Sequence, residues 1–465
     1  MKTVVTNFLF VFGAQSLILL ISIARALLLP KMLPVEGYGY WEVYLLYTSY
    51  VGILTFGYND GIYLKYGERN YDQLPVSLLR SATRLFAVLM FAITLTFSLL
   101  VLLSSAEYDL KFALFFACSN IFVLAVSCFF VFICQITNQF KYYSLFSTID
   151  KIAVLITIFL LFIINQENYE FVIIADFIAK IGVLVLMVSK MPELVFGPQE
   201  SLKESWKFML SNMSVGIKLM IANLMSMLLI GAGKFIVQFL GDISTFAVFS
   251  FGISITGLVL TAITAISLVL YPAIKRMSES RYGELFRKLN SFTRIISISS
   301  LLVYYPVCIL VEKFYPNYLG VLSYLSFLFL TVFYQCKITL VNNTFYKVLR
   351  LEKQLLIANL SCVALFCVIA LISFSLTKAI DSIAISIFVA MCFRSYSSEH
   401  YLSRVLNLST DQNDLVELSA IIAFILTVKL LSIYVSFAIM AVIVIMWLYV
   451  DRKSLQYILS SVKNK

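Results

Sequence analysis

Apolar runs about 20 residues long recur from one end of this sequence to the other, each long enough to cross a bilayer as a helix at about 1.5 Å per residue. About 14 can be marked, at residues 8–29, 41–61, 82–104, 112–134, 145–164, 171–189, 213–240, 245–273, 292–311, 318–340, 355–376, 380–393, 417–434 and 435–450. The runs are continuous and do not alternate, which excludes a transmembrane β-barrel. The expected fold is therefore an all-α integral membrane protein with about 14 transmembrane helices. Charged residues make up 13% of the chain, about half the share of a soluble domain, and this agrees.

The distribution of Lys and Arg sets the orientation. With the amino terminus inside, inner loops hold about 24 of the 35 cations, among them Lys65, Arg69, Arg80, Arg84, Lys275, Arg276, Lys347, Arg350 and Lys353. Outer loops hold about four: Lys31, Lys111, Lys313 and Lys378. Both termini are expected in the cytoplasm. The net charge of +10 thus reports membrane topology, and no nucleic-acid partner is implied. The first apolar run is too long for a cleavable secretory peptide and serves as its own membrane signal.

A polar connector at 190–211 splits the first twelve runs into six and six. The expected domains are a lobe over 1–200, a second over 201–400, and two further helices with a tail over 401–465. Within the connector, Lys203, Trp206 and Phe208 suggest a short interfacial helix. A second polar connector is expected over 394–414. Each half begins and ends inside, so the halves would be parallel repeats about an axis normal to the membrane. Arg25 is followed about 15 residues later by Tyr40, and Lys234 about 12 residues later by Phe246.

Arg25 sits inside the first run. A guanidinium at that depth costs about 3 kcal/mol even on the lenient insertion scale, so it needs a partner, water or a purpose. It points to a carrier for something anionic.

The stretch Arg25-Ala-Leu-Leu-Leu-Pro, then Gly37-Tyr38-Gly39-Tyr40, then Phe56-Gly57 through Gly61 to Lys65-Tyr66 resembles the amino-terminal signature of polysaccharide (O-antigen type) flippases. These belong to the multidrug/oligosaccharidyl-lipid/polysaccharide exporter (MOP) superfamily. Asn223, Gly233-Lys234 and Tyr271-Pro272 resemble the equivalent part of the second lobe. The family often carries an acidic residue before the basic one, and here that position is Gly233. The resemblance implies two pseudo-symmetric six-helix lobes around a central cavity, with two C-terminal helices added. It also implies export of an undecaprenyl-pyrophosphate-linked oligosaccharide across a bacterial cytoplasmic membrane, beside membrane lipids and a glycan polymerase of the same pathway. No cofactor is implied.

On this reading the candidate substrate-binding residues are Arg25, Lys234 and Lys218, with Tyr44 and Tyr47. Arg25 suits a diphosphate through its planar bidentate fork. Lys218 and Lys234 point about 160° apart on an ideal helix and would share a cavity only if Gly231 and Gly233 bend or unwind it. Tyr40, Tyr44, Tyr47 and Tyr58 fall within about 60° on a continuous helical projection and could offer phenol faces to sugars; interfacial packing is the plainer alternative. Asp60 and Asp176 are the carboxylates that could bind a coupling ion, although Asp176 and Lys180, at i and i+4, could simply neutralise each other. Asp150 and Lys151 are expected at a membrane interface. With the inside negative, two negative charges moving outward would also release roughly 4–5 kcal/mol per 100 mV.

Enzymatic signatures are lacking. There is no GxxxxGK[ST] loop, and the single histidine, His400, reads as a solvated loop residue. The eight cysteines form no CxxC pair, so neither a metal site nor a disulfide framework is expected. The competing readings are a multidrug/cation antiporter of the same superfamily, which would want acidic residues in its cavity, and a membrane glycan polymerase or ligase, which would need a large outer loop.

Overall fold

The computed structural model describes residues 2–67, 70–275, 279–408 and 414–450. Arg69, Arg276 and the tail from 451 lie outside them, as do the side chains of Tyr271, Pro272 and Lys275. Among the described residues the chain is helical, without strands. It divides into two compact units. The first comprises residues up to Met227 together with Asp242–Ala247; the second comprises Leu228–Gly241 and the described residues from Val248 on.

The first unit contains α1 (Lys2–Met32), α2 (Val35–Ser49), α3 (Tyr58–Tyr66), α4 (Val76–Leu103), α5 (Tyr108–Ile136), α6 (Phe140–Ile163), α7 (Tyr169–Lys190) and the first part of α8 (Leu202–Leu240). The second contains most of α9 (Ile243–Lys275), then α10 (Tyr282–Leu301), α11 (Tyr304–Phe314), α12 (Leu322–Lys337), α13 (Asn343–Val348), α14 (Glu352–Thr377), α15 (Asp381–Val405), α16 (Asp414–Leu430) and α17 (Ile433–Val450). Among the described residues, ten helices or helix pairs are long and apolar enough to span a membrane. The remaining expected positions are helical too, but α2 has only 15 residues, and α15 carries Arg394, Glu399 and Arg404.

In each unit one helix is enclosed by the others. Half of the most apolar window of α5 is buried, against 17% for α4, because α5 packs on α2, α3, α4, α6 and α7. In the second unit the most apolar window of Pro316–Val348, a stretch built around α12, is 61% buried. The packing patterns correspond: α4 on α5, α5 on α7 and α6 on α7 recur as α10 on α12, α12 on α15 and α14 on α15. The outer helices turn apolar side chains outward, as lipid requires. On α4 these are Val88, Phe91, Leu95, Leu99 and Leu103, and on α14 they are Ile357, Leu360, Val368, Leu371 and Leu376.

The connector is shorter than its composition suggested. α8 already begins at Leu202, so Lys203, Trp206 and Phe208 belong to it and form no separate interfacial helix. Residues 191–201 are held against the start of α4. Arg80 Nε donates to the Glu193 carbonyl (2.7 Å) and Nη1 to the Pro198 carbonyl (2.9 Å), and Arg84 Nε donates to the Val195 carbonyl (2.7 Å). Gly197 has φ of 132°, and a Cβ there would lie 2.4 Å from Arg80 Nη1. Tyr71 donates to the Glu193 carboxylate, and burial, with that carboxylate beside it, raises the phenol above its ordinary pKa.

Candidate functional site

The run 41–61 is not one helix. α2 stops at Ser49, Val51–Thr55 wind into a 3-10 turn, and α3 restarts at Tyr58. Between them Phe56 (φ 50°) and Gly57 (φ 76°) are left-handed. The local cause is polar: Ser49 Oγ donates to the Leu46 carbonyl (2.7 Å) and Thr55 Oγ1 to that of Gly52 (2.8 Å). Such hydroxyls compete for the acceptors that an α-helix would use. The packing cause lies on α8. A Cβ on Gly57 would sit 2.4 Å from the Ile217 nitrogen, so the chain can turn here only with glycine.

The break walls a cavity of about 470 Å³ within the first unit. Asp60, Asp150, Lys151, Lys180, Tyr50 and Asn223 are among its lining residues. Asp150 and Lys151 lie eleven and twelve residues after Gln139 caps α6, well inside the helix, and not at a span entrance as expected from the sequence. They pair with each other at 3.2 Å. Asp60 is nearly buried, with Asn223 as a side-chain hydrogen-bond partner, and no described cation pairs with it.

Behind one wall lies a polar knot joining α2, α5 and α7. Tyr44 donates to Asp176, which also pairs with Lys180 as their spacing predicted. Asn120 Nδ2 (2.9 Å) and Lys180 Nζ (3.2 Å) both donate to the Tyr44 hydroxyl. Counting the knot with the cavity, three carboxylates (Asp60, Asp150, Asp176) face two ammonium groups (Lys151, Lys180), which leaves one negative charge. A small cation or a proton therefore suits this cavity better than a diphosphate does.

The structure separates the other candidates. Tyr44 is fully buried in the knot and presents no face to open space. Tyr58, on the far side of the break, is also fully buried, stacked on Phe86 at 4.4 Å. The tyrosine stripe drawn on a continuous helix is therefore interrupted. Tyr47 is half-buried. Arg25 is half-buried in α1, outside the cavity lining, and makes no hydrogen bond or ion pair among the described residues. Lys218 is exposed on the first-unit part of α8, and half-buried Lys234 belongs to the second unit. α8 remains helical through Gly231 and Gly233, without unwinding.

The second unit contains a charged cluster that sequence reasoning missed. The expected connector at 394–414 is helical as far as Val405, and its Arg394 and Glu399 are buried. Lys337 Nζ lies 2.8 and 2.9 Å from the two Glu417 carboxylate oxygens and 2.5 Å from Glu399 Oε2, and Arg294 Nε lies 3.1 Å from Glu417 Oε1. Lys337, an isolated cation in an apolar run, was the available signal. His400 is exposed, as expected, but it stands on α15 and not in a loop.

A scan of protein-family models finds no match, and no curated protein matches the sequence. Solved structures do. "Lipid II flippase MurJ, inward closed conformation" superposes with a TM-score of 0.69 at 12% identity, covering 97% of this chain and 99% of that one. "Inward-facing conformation of a multidrug resistance MATE family transporter of the MOP superfamily" gives 0.62 at 12% identity, covering 84% and 94%. "Crystal structure of MATE in complex with MaL6" gives 0.60 at 12% identity, covering 87% and 96%. The chain has the fold of these MOP-type transporters.

Proposed function

We propose that this protein is a multi-pass transporter that moves an anionic, lipid-linked oligosaccharide from the inner to the outer leaflet of a bacterial cytoplasmic membrane by alternating access. An undecaprenyl-pyrophosphate-linked repeat unit for surface polysaccharide is the substrate that fits the residues. The observation carrying this reading is Arg25, a half-buried intramembrane guanidinium without a partner among the described residues. The likeness to a lipid II flippase over 97% of the chain supports a lipid-linked substrate. Lys234 and Lys218 are the further cations offered to the diphosphate, and Tyr47 a sugar contact. The Asp60 cavity takes the coupling cation or proton. An enzyme is disfavoured because the connections at 104–107, 164–168, 378–380 and 431–432, on the side poor in cations, have no room for a catalytic domain.

Arg25→Ala is expected to abolish surface glycan at unchanged protein level, and Arg25→Lys to retain partial display only if charge matters more than fork geometry. Full glycan with Arg25→Ala would contradict the assignment.

One observation favours a second reading, export of organic cations: once Asp176 of the adjoining knot is counted, the cavity of the first unit has one carboxylate more than it has ammonium groups. Asp60→Asn separates the two. The flippase reading expects glycan display to fall at least about tenfold, over 1 kcal/mol in the coupled step, with resistance to cationic dyes unchanged. Loss of dye resistance with intact glycan would transfer the assignment to cation export.

A further inference from the structure

Arg294, Lys337, Glu399 and Glu417 come from four helices, α10, α12, α15 and α16, and all are buried. Two positive and two negative charges balance. Such a quartet is a poor way to gain stability, since apolar residues of the same volume usually serve as well or better; its best-attested use is to set or switch a register.

The backbone beside it supplies the means. Directly after Lys337, residues Ile338–Asn342 form a π-helical turn. A π turn holds one residue more than an α turn, and shedding it shifts the adjoining helix by about 1.5 Å and turns it by about 100°. The far side of the turn is tied to α15: Asn342 Nδ2 donates to the Ser395 carbonyl (3.3 Å), and Arg394 Nη2 to Asn343 Oδ1 (3.0 Å). Spare hydrogen-bonding capacity surrounds it. Asn290 Oδ1, Thr293 Oγ1, Gln335 Oε1, Asn342 Oδ1 and Ser395 Oγ are buried without a hydrogen-bond partner in this arrangement. Buried polar atoms are normally satisfied, so these five leave pairing capacity unused in the arrangement seen here.

We propose that α12 has two registers, and that Lys337 is the exchangeable member of the quartet. It is shared by Glu417 and Glu399 in the arrangement seen here, and passes to one of them when the π turn is resorbed, while Arg294 keeps Glu417 neutralised. The C-terminal hairpin α16–α17 is thereby coupled to the shape of the second unit. This inference goes beyond the transport reading and does not depend on the substrate.

The test is peptide-resolved hydrogen exchange of the full chain in lipid nanodiscs. In Lys337→Met with Glu399→Leu, a balanced Arg294–Glu417 pair remains. Amides of residues 338–342 should exchange at least tenfold more slowly in this variant than in the native chain, with a peptide from α5 unchanged. Equal rates in a folded variant would overturn the proposal. If the double variant does not fold, Lys337→Arg decides: its planar fork can hold both carboxylates at once, so the same slowing is expected and unchanged exchange would overturn the idea. A transport assay enters neither arm, so failure here leaves the Arg25 assignment standing.

Discussion

Glu417→Gln should leave little folded protein in the membrane. Glu417 is fully buried and neutralises Arg294 and Lys337 together, so the substitution leaves two buried cations facing Glu399 alone. Breaking a buried pair from one side costs about 3–5 kcal/mol, a large part of a total stability of about 5–15 kcal/mol. Adding Arg294→Met restores the balance and should recover most of the loss, because one cation then meets one carboxylate. Fluorescence-detected size-exclusion chromatography, with thermal midpoints in detergent, reads both effects. A Glu417→Gln protein as stable as the native one would show that the buried charges are more hydrated than their packing indicates.

Gly216→Ala should be nearly as damaging, for a steric reason. At the α3–α8 crossing an added Cβ would lie 2.0 Å from the Gly57 carbonyl oxygen and 2.2 Å from the Gly61 nitrogen. The reciprocal change, Gly61→Ala, places its Cβ 2.0 Å from the Asn212 carbonyl oxygen. All of these are backbone atoms, so no rotamer change relieves the clash and the helices must separate. Separation would open the wall that brings Asn223 to Asp60. The comparison is Gly182→Ala on α7 or Gly257→Ala on α9, where a Cβ meets open space. Replacing helical glycine there should be neutral or stabilising by about 0.5–1 kcal/mol. Comparable midpoints for Gly216→Ala and Gly182→Ala would mean that the crossing is looser than described.

The membrane helices were legible because hydrocarbon forces long apolar runs and leaves little room for ambiguity. Helix interruptions were not. Ser49, Gly52 and Thr55 are ordinary residues in a membrane span, and the approach of α8 to Gly57, the packing cause of the break, has no local signature. Asp60 could be named from the sequence because a carboxylate stands out in an apolar run. Asp150 was misplaced because the aromatic and charged start of α6, from Phe140 to Tyr143, reads as loop. The helical projection grouped Tyr44 with its neighbours correctly within α2, but a projection cannot say which face is closed by other helices. The quartet was out of reach: Lys337 and Glu417 are 80 residues apart and Arg294 and Glu417 are 123 apart, and no local pattern joins them.

The grip of Arg80 and Arg84 on residues 193–198 has a consequence for divergence. The four hydrogen bonds, counting that from Arg84 Nη2 to the Gly197 carbonyl (3.4 Å), end on carbonyl oxygens, which every amino acid supplies, so Val195 and Pro198 can be exchanged without loosening the strap. Gly197 cannot, because any side chain would displace the arginine. Distant chains of this architecture should therefore keep the length of the segment and its glycine while the remaining letters drift.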